Sequence, residues 1–437
     1  MIDRDKTKHK QALILILVAA ILIRIPIALL MGDQITVLPG IQDQVSYDAL
    51  ARSLLDGRGY SFTKSWYPFT PANTPTAHWS FIYPLYLAGI YAVAGYHPLV
   101  ARLLQGAVGG ALLCFLVYKI GCRVANEDTG LVGAGLAAVY GYFIYYNVAL
   151  MTETFFIVLV LLTLYLSIEL KENPTRRRWV SLGLALGLAG LLRQTVLLFV
   201  PFLLFGLFLE LRSRHIPWWH FVLPVVIILL LVIPWTIRNF LVYRGFLLLN
   251  SNAGYALYAS NNPNMGTNWR NDLVVVPVPK ELAGQNEAEL DRALTQKGFK
   301  FILADPKRYL WLSLDKTFEY FRFWPSNDSS RISNLNRVLS FGLYLPFMLL
   351  GLCISLSRWR NFVVLYLFIF IHTAIHLLSW PAPRYRLPVD AVLMVFAGLV
   401  LVELFRQLIS WRHSFPRFTR RESSSGEDVE PWYQSQT

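Results

Sequence analysis

The chain has 437 residues, 55% of them hydrophobic and only 15% charged, against about 25% charged in ordinary soluble domains; this excludes a core built by folding in water alone. The formal charge of +13 raises nucleic acid as a partner, yet Lys and Arg gather at Arg4–Lys10, Lys119–Arg123, Lys171–Arg178, Arg212–Arg214, Arg358–Arg360 and Arg406–Arg421, each abutting an apolar stretch. That is the positive-inside pattern, so the charge sets membrane topology, adds affinity for anionic lipid and argues against nucleic acid.

The elements follow in chain order. Residues 11–32 are apolar except for Arg24; the stretch is too long for a signal peptide and lacks a small-residue cleavage site, so it reads as a retained first span. Further spans are expected near 99–120, 130–149, 154–170, 179–194, 196–211, 218–236, 337–356, 362–379 and 388–408. The predicted fold is therefore an all-α polytopic membrane protein of about ten transmembrane helices, with every basic cluster on one side and both termini cytoplasmic. The apolar run 81–95 is short for a span and contains Pro84; crossing there would put every later basic loop outside, so it is expected to lie in the interface or re-enter.

Two outer segments remain, 33–98 and 238–333. In the first, Tyr47, Leu50, Ala51, Leu54 and Leu55 fall at helical spacing before Gly57 and Gly59, which predicts an amphipathic helix lying flat at the membrane surface. In the second, Asn250–Gly254 and Asn261–Asn264 read as loop, and helices are expected over 287–303 and 306–322, the latter capped by Asp305 with Pro306 in its first turn. These segments divide the chain into an N-terminal membrane module (1–237), an extracytoplasmic region (238–333), C-terminal membrane helices (334–410) and a polar, disordered tail (411–437). Cys114, Cys122 and Cys353 lack metal-ligand spacing and predict neither disulfide nor metal. Asn327-Asp-Ser329 matches an N-glycosylation acceptor, a short pattern frequent by chance.

Polar residues converge on the outer boundary. Asp43 follows the first span, Thr152-Glu153 opens the fourth, Arg193 lies at the turn after the fifth, Arg238 ends the seventh, and Arg384 and Arg386 lie between Pro383 and Pro388 before the last. Glu153 could instead cap its helix and Arg193 could snorkel, but short outer loops normally avoid Arg, so Arg384 and Arg386 point to a bound anion. Arg24, halfway along the first span, has three readings: pairing with an acid of another helix, reaching an anion, or snorkelling.

Asp43-Gln-Val-Ser-Tyr47, Leu55-Asp-Gly-Arg-Gly59, Tyr83-Pro-Leu-Tyr86, Thr152-Glu153, Gly190-Leu-Leu-Arg193, Pro234-Trp-Thr-Ile-Arg-Asn239 and Pro383-Arg-Tyr-Arg-Leu-Pro388 occur in that order. The succession resembles the polyprenyl-phosphate-dependent membrane glycosyltransferases of family 39, related to protein O-mannosyltransferase and the lipid A aminoarabinose transferase. The resemblance implies Asp43 as the catalytic residue and Glu153 as the second acid. In the family an acid pair opens the first outer loop; here the pair is Asp43-Gln44, which leaves open whether a divalent cation, held by Asp43 and Glu153, takes part.

The chemistry fits independently. A sugar on a polyprenyl phosphate leaves as a weakly basic oxyanion, so the enzyme needs cations on the phosphate and one carboxylate to take the acceptor's proton. Asp43 is the expected base, Glu153 its partner, and Arg238, Arg384, Arg386, Arg193 and His78 the expected donor-phosphate contacts, facing outward from the cell membrane. The acceptor, whether lipid, glycan or protein, is not encoded in any recognisable pattern. A lipid-linked flippase or transporter, and an oligosaccharide polymerase or ligase, are the alternatives.

Overall fold

Long apolar runs surrounded by lipid must satisfy their backbone internally, and helices do so within one segment. The computed structural model describes residues 2–38, 40–66, 70–214, 216–265, 276–327 and 329–414, and these are helical apart from loops and two isolated β-bridges, Ser61 with Pro75 and Trp66 with Thr70. A compact unit spans Met1–Val402, and Glu403–Thr437 forms a second, smaller one. Most of the expected tail, and Asp328 of the Asn327-Asp-Ser329 pattern, lie outside the described residues.

All ten expected spans are helical. Among the described residues seven helical runs are long and apolar enough to cross a membrane, or up to eight when Glu127–Val139 and Gly141–Val148, bent by 60°, count as one. The difference from ten has two physical sources. Arg176–Leu192, with 17 residues, begins with three arginines and is short. Arg331–Leu378, at 48 residues, would extend about 72 Å if straight, more than twice the hydrocarbon thickness of roughly 30 Å. It doubles back at the Leu356–Arg358 turn, because the Tyr366 hydroxyl donates to the Leu352 carbonyl at 3.0 Å across the bend.

The bend before Glu153 frees backbone carbonyls inside the protein, and side chains of the second span meet them. Gln105 donates to the carbonyls of Asn147 (3.2 Å) and Ala149 (2.7 Å), and Arg102 to Val148 (3.0 Å). Arg102 also holds the carbonyls of Gly32 (3.2 Å) and Gln34 (3.0 Å), fixing the exit of the first helix against the same bend. Arg24 takes none of its three expected routes. It donates to the carbonyls of Ala20 (2.7 Å) and Ala138 (3.2 Å) and, with the Asn147 amide oriented to suit its neighbours, to that side chain.

In the first outer segment the helix is Asp43–Leu55. It ends where Gly57 adopts φ +70°: the amides of Gly57 and Arg58 turn back onto the carbonyls of Leu54 (3.2 Å) and Ser53 (3.0 Å), a closure that favours glycine. Its apolar face packs on protein rather than lipid, with the Tyr47 ring 5.0 Å from Tyr83 and 5.5 Å from Trp79. The 81–95 run forms Ile82–Ala94, whose 13 residues rise only about 20 Å.

The second outer segment carries Glu287–Ala304, opened by an Asn286 capping box, and Pro306–Tyr320, capped by Asp305, close to their expected bounds. Ala253–Asn261 is a helix where its flanking Asn/Gly runs read as loop. Packing overrides those local signals, since Tyr258 and Ala259 are buried against Leu290 and Leu294. The two outer segments are joined by the buried Glu287 carboxylate, which accepts from Thr70, from Thr76 (2.6 Å), from the Ala77 amide (2.8 Å) and from Ser251 (2.7 Å).

Glu287→Ala strands four buried donors and is expected to cost about 3 kcal/mol or more of stability. Glu287→Gln, which turns an amide group toward donors, should fall between. Thermal unfolding with limited proteolysis of the outer segments reads both, and unchanged midpoints would show that the clasp carries no stability.

Candidate active site

Asp43 is the first residue of its helix, where an acid is favoured by the helix dipole. The chain reaches it through Gly40, at φ +73°, where a Cβ would lie 2.4 Å from the Tyr146 hydroxyl oxygen, so any side chain would displace that tyrosine. The Gly40 carbonyl accepts from Tyr146 (3.4 Å) and from Arg384 Nη1 (3.2 Å). That same nitrogen lies 2.9 Å from Asp43 Oδ2, and the two side chains keep 14% and 13% of their surface exposed. The 3₁₀ turn Pro383–Arg386 thus brings the end of the chain onto its beginning.

The second acid is sealed. Glu153, 1% exposed, starts the Glu153–Glu172 helix, and its Oε1 lies 2.5 Å from Arg193 Nη2 while Arg193 Nε donates to Thr152 Oγ1 at 3.1 Å. Glu153 Oε2 is buried with no hydrogen-bond partner. The Arg193 and Arg384 guanidinium carbons lie 5.1 and 5.2 Å from the centre of one ring, Tyr385, so the two ion pairs share a neighbour.

Burial pushes the Asp43 carboxyl above the usual carboxylate range; Arg384 and Arg193 oppose that shift and Glu153 adds to it, so both ion pairs act on one field. Tyr47, one turn after Asp43, feels all four charges, and burial above all keeps its phenol protonated. The structure thus brings Asp43, Glu153, Arg193 and Arg384 together.

The three other expected contacts are engaged with other partners. Arg386 is fully buried, 2.9 Å from Asp390 and donating to the Tyr320 carbonyl at 2.5 Å, while Asp390 also accepts from Tyr140 at 2.8 Å. A guanidinium so enclosed cannot meet a ligand without breaking the pair. Arg238 donates to the Thr76 carbonyl (2.9 Å) and stacks 4.7 Å from the Trp235 ring, beside the Glu287 clasp. His78 lies near the same glutamate; burial pushes its imidazole down to about 4, with Glu287 opposing, so it brings no positive charge at neutral pH. Gln44, where the family has an acid, donates to the Thr36 carbonyl at 2.6 Å and accepts from Arg102 at 3.3 Å, inside the loop scaffold.

For a divalent cation, Asp43 and Glu153 supply two carboxylates, each already engaged by a guanidinium, and no group of three or more His, Cys, Asp or Glu gathers among the described residues. This donor set is thin for a resident ion, which ordinarily takes about six or more oxygen ligands if it is calcium or magnesium. Tyr146, and His372 and His376, which contact the Tyr385 carbonyl and ring, are not distinguished in the sequence because nothing local sets them apart from core aromatics. Tyr47 was legible as four residues from Asp43.

Residues 78–237 match the family model described as dolichyl-phosphate-mannose-protein mannosyltransferase. No curated protein matches the sequence. Among solved structures, the archaeal oligosaccharyltransferase AglB from Archaeoglobus fulgidus, in complex with an inhibitory peptide and a dolichol-phosphate, is similar with a TM-score of 0.60 at 17% identity, over 94% of this chain and 52% of that one. An apo form of the Archaeoglobus fulgidus oligosaccharyltransferase gives 0.56 at 16%, over 92% and 51%. ArnT from Cupriavidus metallidurans, bound to undecaprenyl phosphate, gives 0.53 at 14%, over 91% and 62%. The chain thus spans about half the length of the oligosaccharyltransferases and somewhat more of ArnT. At these identities the likeness is one of fold, and it is the all-α membrane architecture expected. The family match bears out the resemblance carried by the motifs, in the segment that holds Glu153 and Arg193.

If Asp43 must be ionised to act, turnover falls as pH drops through its raised pKa, so the acid limb of kcat/KM should lie above the ordinary carboxylate value of about 3.9. Arg384→Gln removes the strongest influence holding that pKa down, and the limb should move to still higher pH. A limb that stays put or moves down would separate Asp43 from the titration.

Proposed function

We propose that this chain is an integral-membrane glycosyltransferase that moves a sugar from a polyprenyl-phosphate donor to an acceptor hydroxyl at the extracytoplasmic face. The observation that carries the reading is the pair of adjoining carboxylate–guanidinium contacts, Asp43 with Arg384 and Glu153 with Arg193, at one end of the membrane helices. The lipid phosphates in AglB and ArnT support a donor of the same kind here.

In the proposed step the acceptor hydroxyl gives its proton to Asp43 and its oxygen attacks the anomeric carbon. The bond from that carbon to the phosphate oxygen breaks, and the oxygen leaves with the electron pair as polyprenyl phosphate. Arg384 and Arg193 take up the charge on the phosphate. Without donor each guanidinium is neutralised by its own carboxylate. An arriving phosphate competes for them, and as Arg384 turns to it the cation that restrains Asp43 withdraws, which makes the carboxylate a stronger base when a donor is present. Glu153, only 1% exposed, keeps Arg193 in place.

Sidedness rests on charge. Glu153 and Lys171 lie near opposite ends of a 20-residue helix, about 30 Å long. Around Lys171 gather Arg123 and Arg178, 2.6 and 2.5 Å from Glu169, the basic end that the positive-inside rule puts in the cytoplasm. The transporter reading is weakened because Arg24, its one mid-span charge, is spent on backbone and amide oxygens.

Purified protein incubated with a panel of polyprenyl-phosphate sugars should yield a glycosylated product by mass spectrometry. Consumption of only a lipid-linked oligosaccharide would point to a ligase, and no consumption would favour a transporter. Asp43→Asn keeps the shape without the proton acceptor, and should lower turnover roughly 10²-fold or more while donor still binds. Loss of turnover on chelation, restored by a divalent ion, would move the neutralising role from the arginines to a metal on Asp43 and Glu153.

For sidedness, cysteines introduced near Asp43, Glu153 and Arg384 should react with an impermeant reagent added outside, and cysteines near Arg177 and Arg358 should not. Outside labelling at Arg177 would reverse the topology.

A further inference from the structure

Two buried histidines lie beneath the site and take no part in the step above. His372 and His376 are four residues apart on one face of the Trp359–Leu378 helix, with ring centres 4.7 Å apart. Among the described residues no carboxylate pairs with either. His372 Nε2 lies 3.0 Å from the Tyr385 carbonyl, and with the proton on that nitrogen it donates to it. The His376 ring stacks on the Tyr385 ring at 4.9 Å and 23°. Tyr385 is thus held at its backbone by one histidine and at its ring by the other. The two cations of the site approach that same ring, and Arg384 Nη2 also donates to the Tyr385 hydroxyl at 3.4 Å.

We infer that His372 and His376 are positioning residues that, through Tyr385, hold Arg193 and Arg384 side by side as one anion clamp. The inference rests on the phosphate-binding role proposed above. Two guanidinium groups repel each other, and each is drawn to a carboxylate on a different element. A π-system attracts both, so a fixed ring holds each guanidinium carbon just over 5 Å from one centre. If the histidines only filled core volume, any apolar side chain of similar size would replace both. The geometry instead asks for a ring at 376 and an N–H donor at 372.

The test measures binding of sugar-free polyprenyl phosphate to the full-length protein in lipid nanodiscs. His376→Ala and His372→Leu should each weaken binding about tenfold, the equivalent of 1.4 kcal/mol, while His376→Phe and His372→Gln, which restore the ring and the donor, should bind nearly as the parent does. In an Arg193→Gln background His376→Ala should add little further loss, because the pair it aligns is already broken. Equal losses with and without Arg193, or folded Phe and Gln variants as weak as Ala and Leu, would overturn the inference and reduce the histidines to packing. Should Ala or Leu fail to fold, His376→Leu and His372→Met, which fill the volume without the ring or the donor, replace them in both backgrounds. A parent that binds no polyprenyl phosphate at all would instead sink the functional reading, and this inference with it.

Discussion

A carbonyl freed where a helix bends or ends inside a membrane protein has no water to turn to, and the architecture of this chain follows from how those carbonyls are met. Arg102 and Gln105 serve the break before Glu153, Lys316 the Ser379 carbonyl, Arg386 that of Tyr320, and Arg384 that of Gly40. Arginine suits the task because its planar fork of donors reaches several oxygens at once and is always charged. Much of the cationic side chain in the interior is therefore scaffold. What distinguishes Arg193 and Arg384 from Arg386 is that each meets a carboxylate while keeping part of its own side chain, 15% and 13%, exposed.

This division explains what could be read from the chain. Asp43, Glu153, Arg193 and Arg384 were legible because topology from the basic clusters puts all four at one boundary, where charge is costly without purpose. Topology says which end of a helix a residue occupies but not which way it faces, and so Arg238 and Arg386 could not be told from the other two. The facing is decided by partners distant in sequence, Thr76 for one and Asp390 with Tyr320 for the other. Helices with strong caps, such as those begun by Asn286 and Asp305, were visible locally, whereas Ala253–Asn261 exists through packing with Leu290 and Leu294. Gln44 shows a further limit: its place beside Asp43 suggests a lost ligand, but its side chain points into the loop scaffold.

The resting site is close to electrically neutral as a unit, two acids against two bases. Such a site does not attract anions strongly from a distance, and it discriminates by exchange: a ligand must bring a charge that replaces a carboxylate and a shape that leaves Tyr385 and its cations in place. The two pairs differ in their carboxylates rather than their cations: Asp43 keeps 14% of its side chain exposed and Glu153 1%, while Arg384 and Arg193 keep 13% and 15%.

The contact between Gly40 and Arg384 closes a loop of 344 positions. At a synthesis rate of about 5 to 20 residues per second, Asp43 waits roughly 17 to 70 seconds in the membrane before its guanidinium is made. For that interval Asp43 lacks its Arg384 partner, and a carboxyl left without its guanidinium keeps water or a proton until the pair can form. The two halves of that ion pair are thus laid down in time order, the carboxylate first and its guanidinium with the last helix, so the pair cannot close until the final helix arrives.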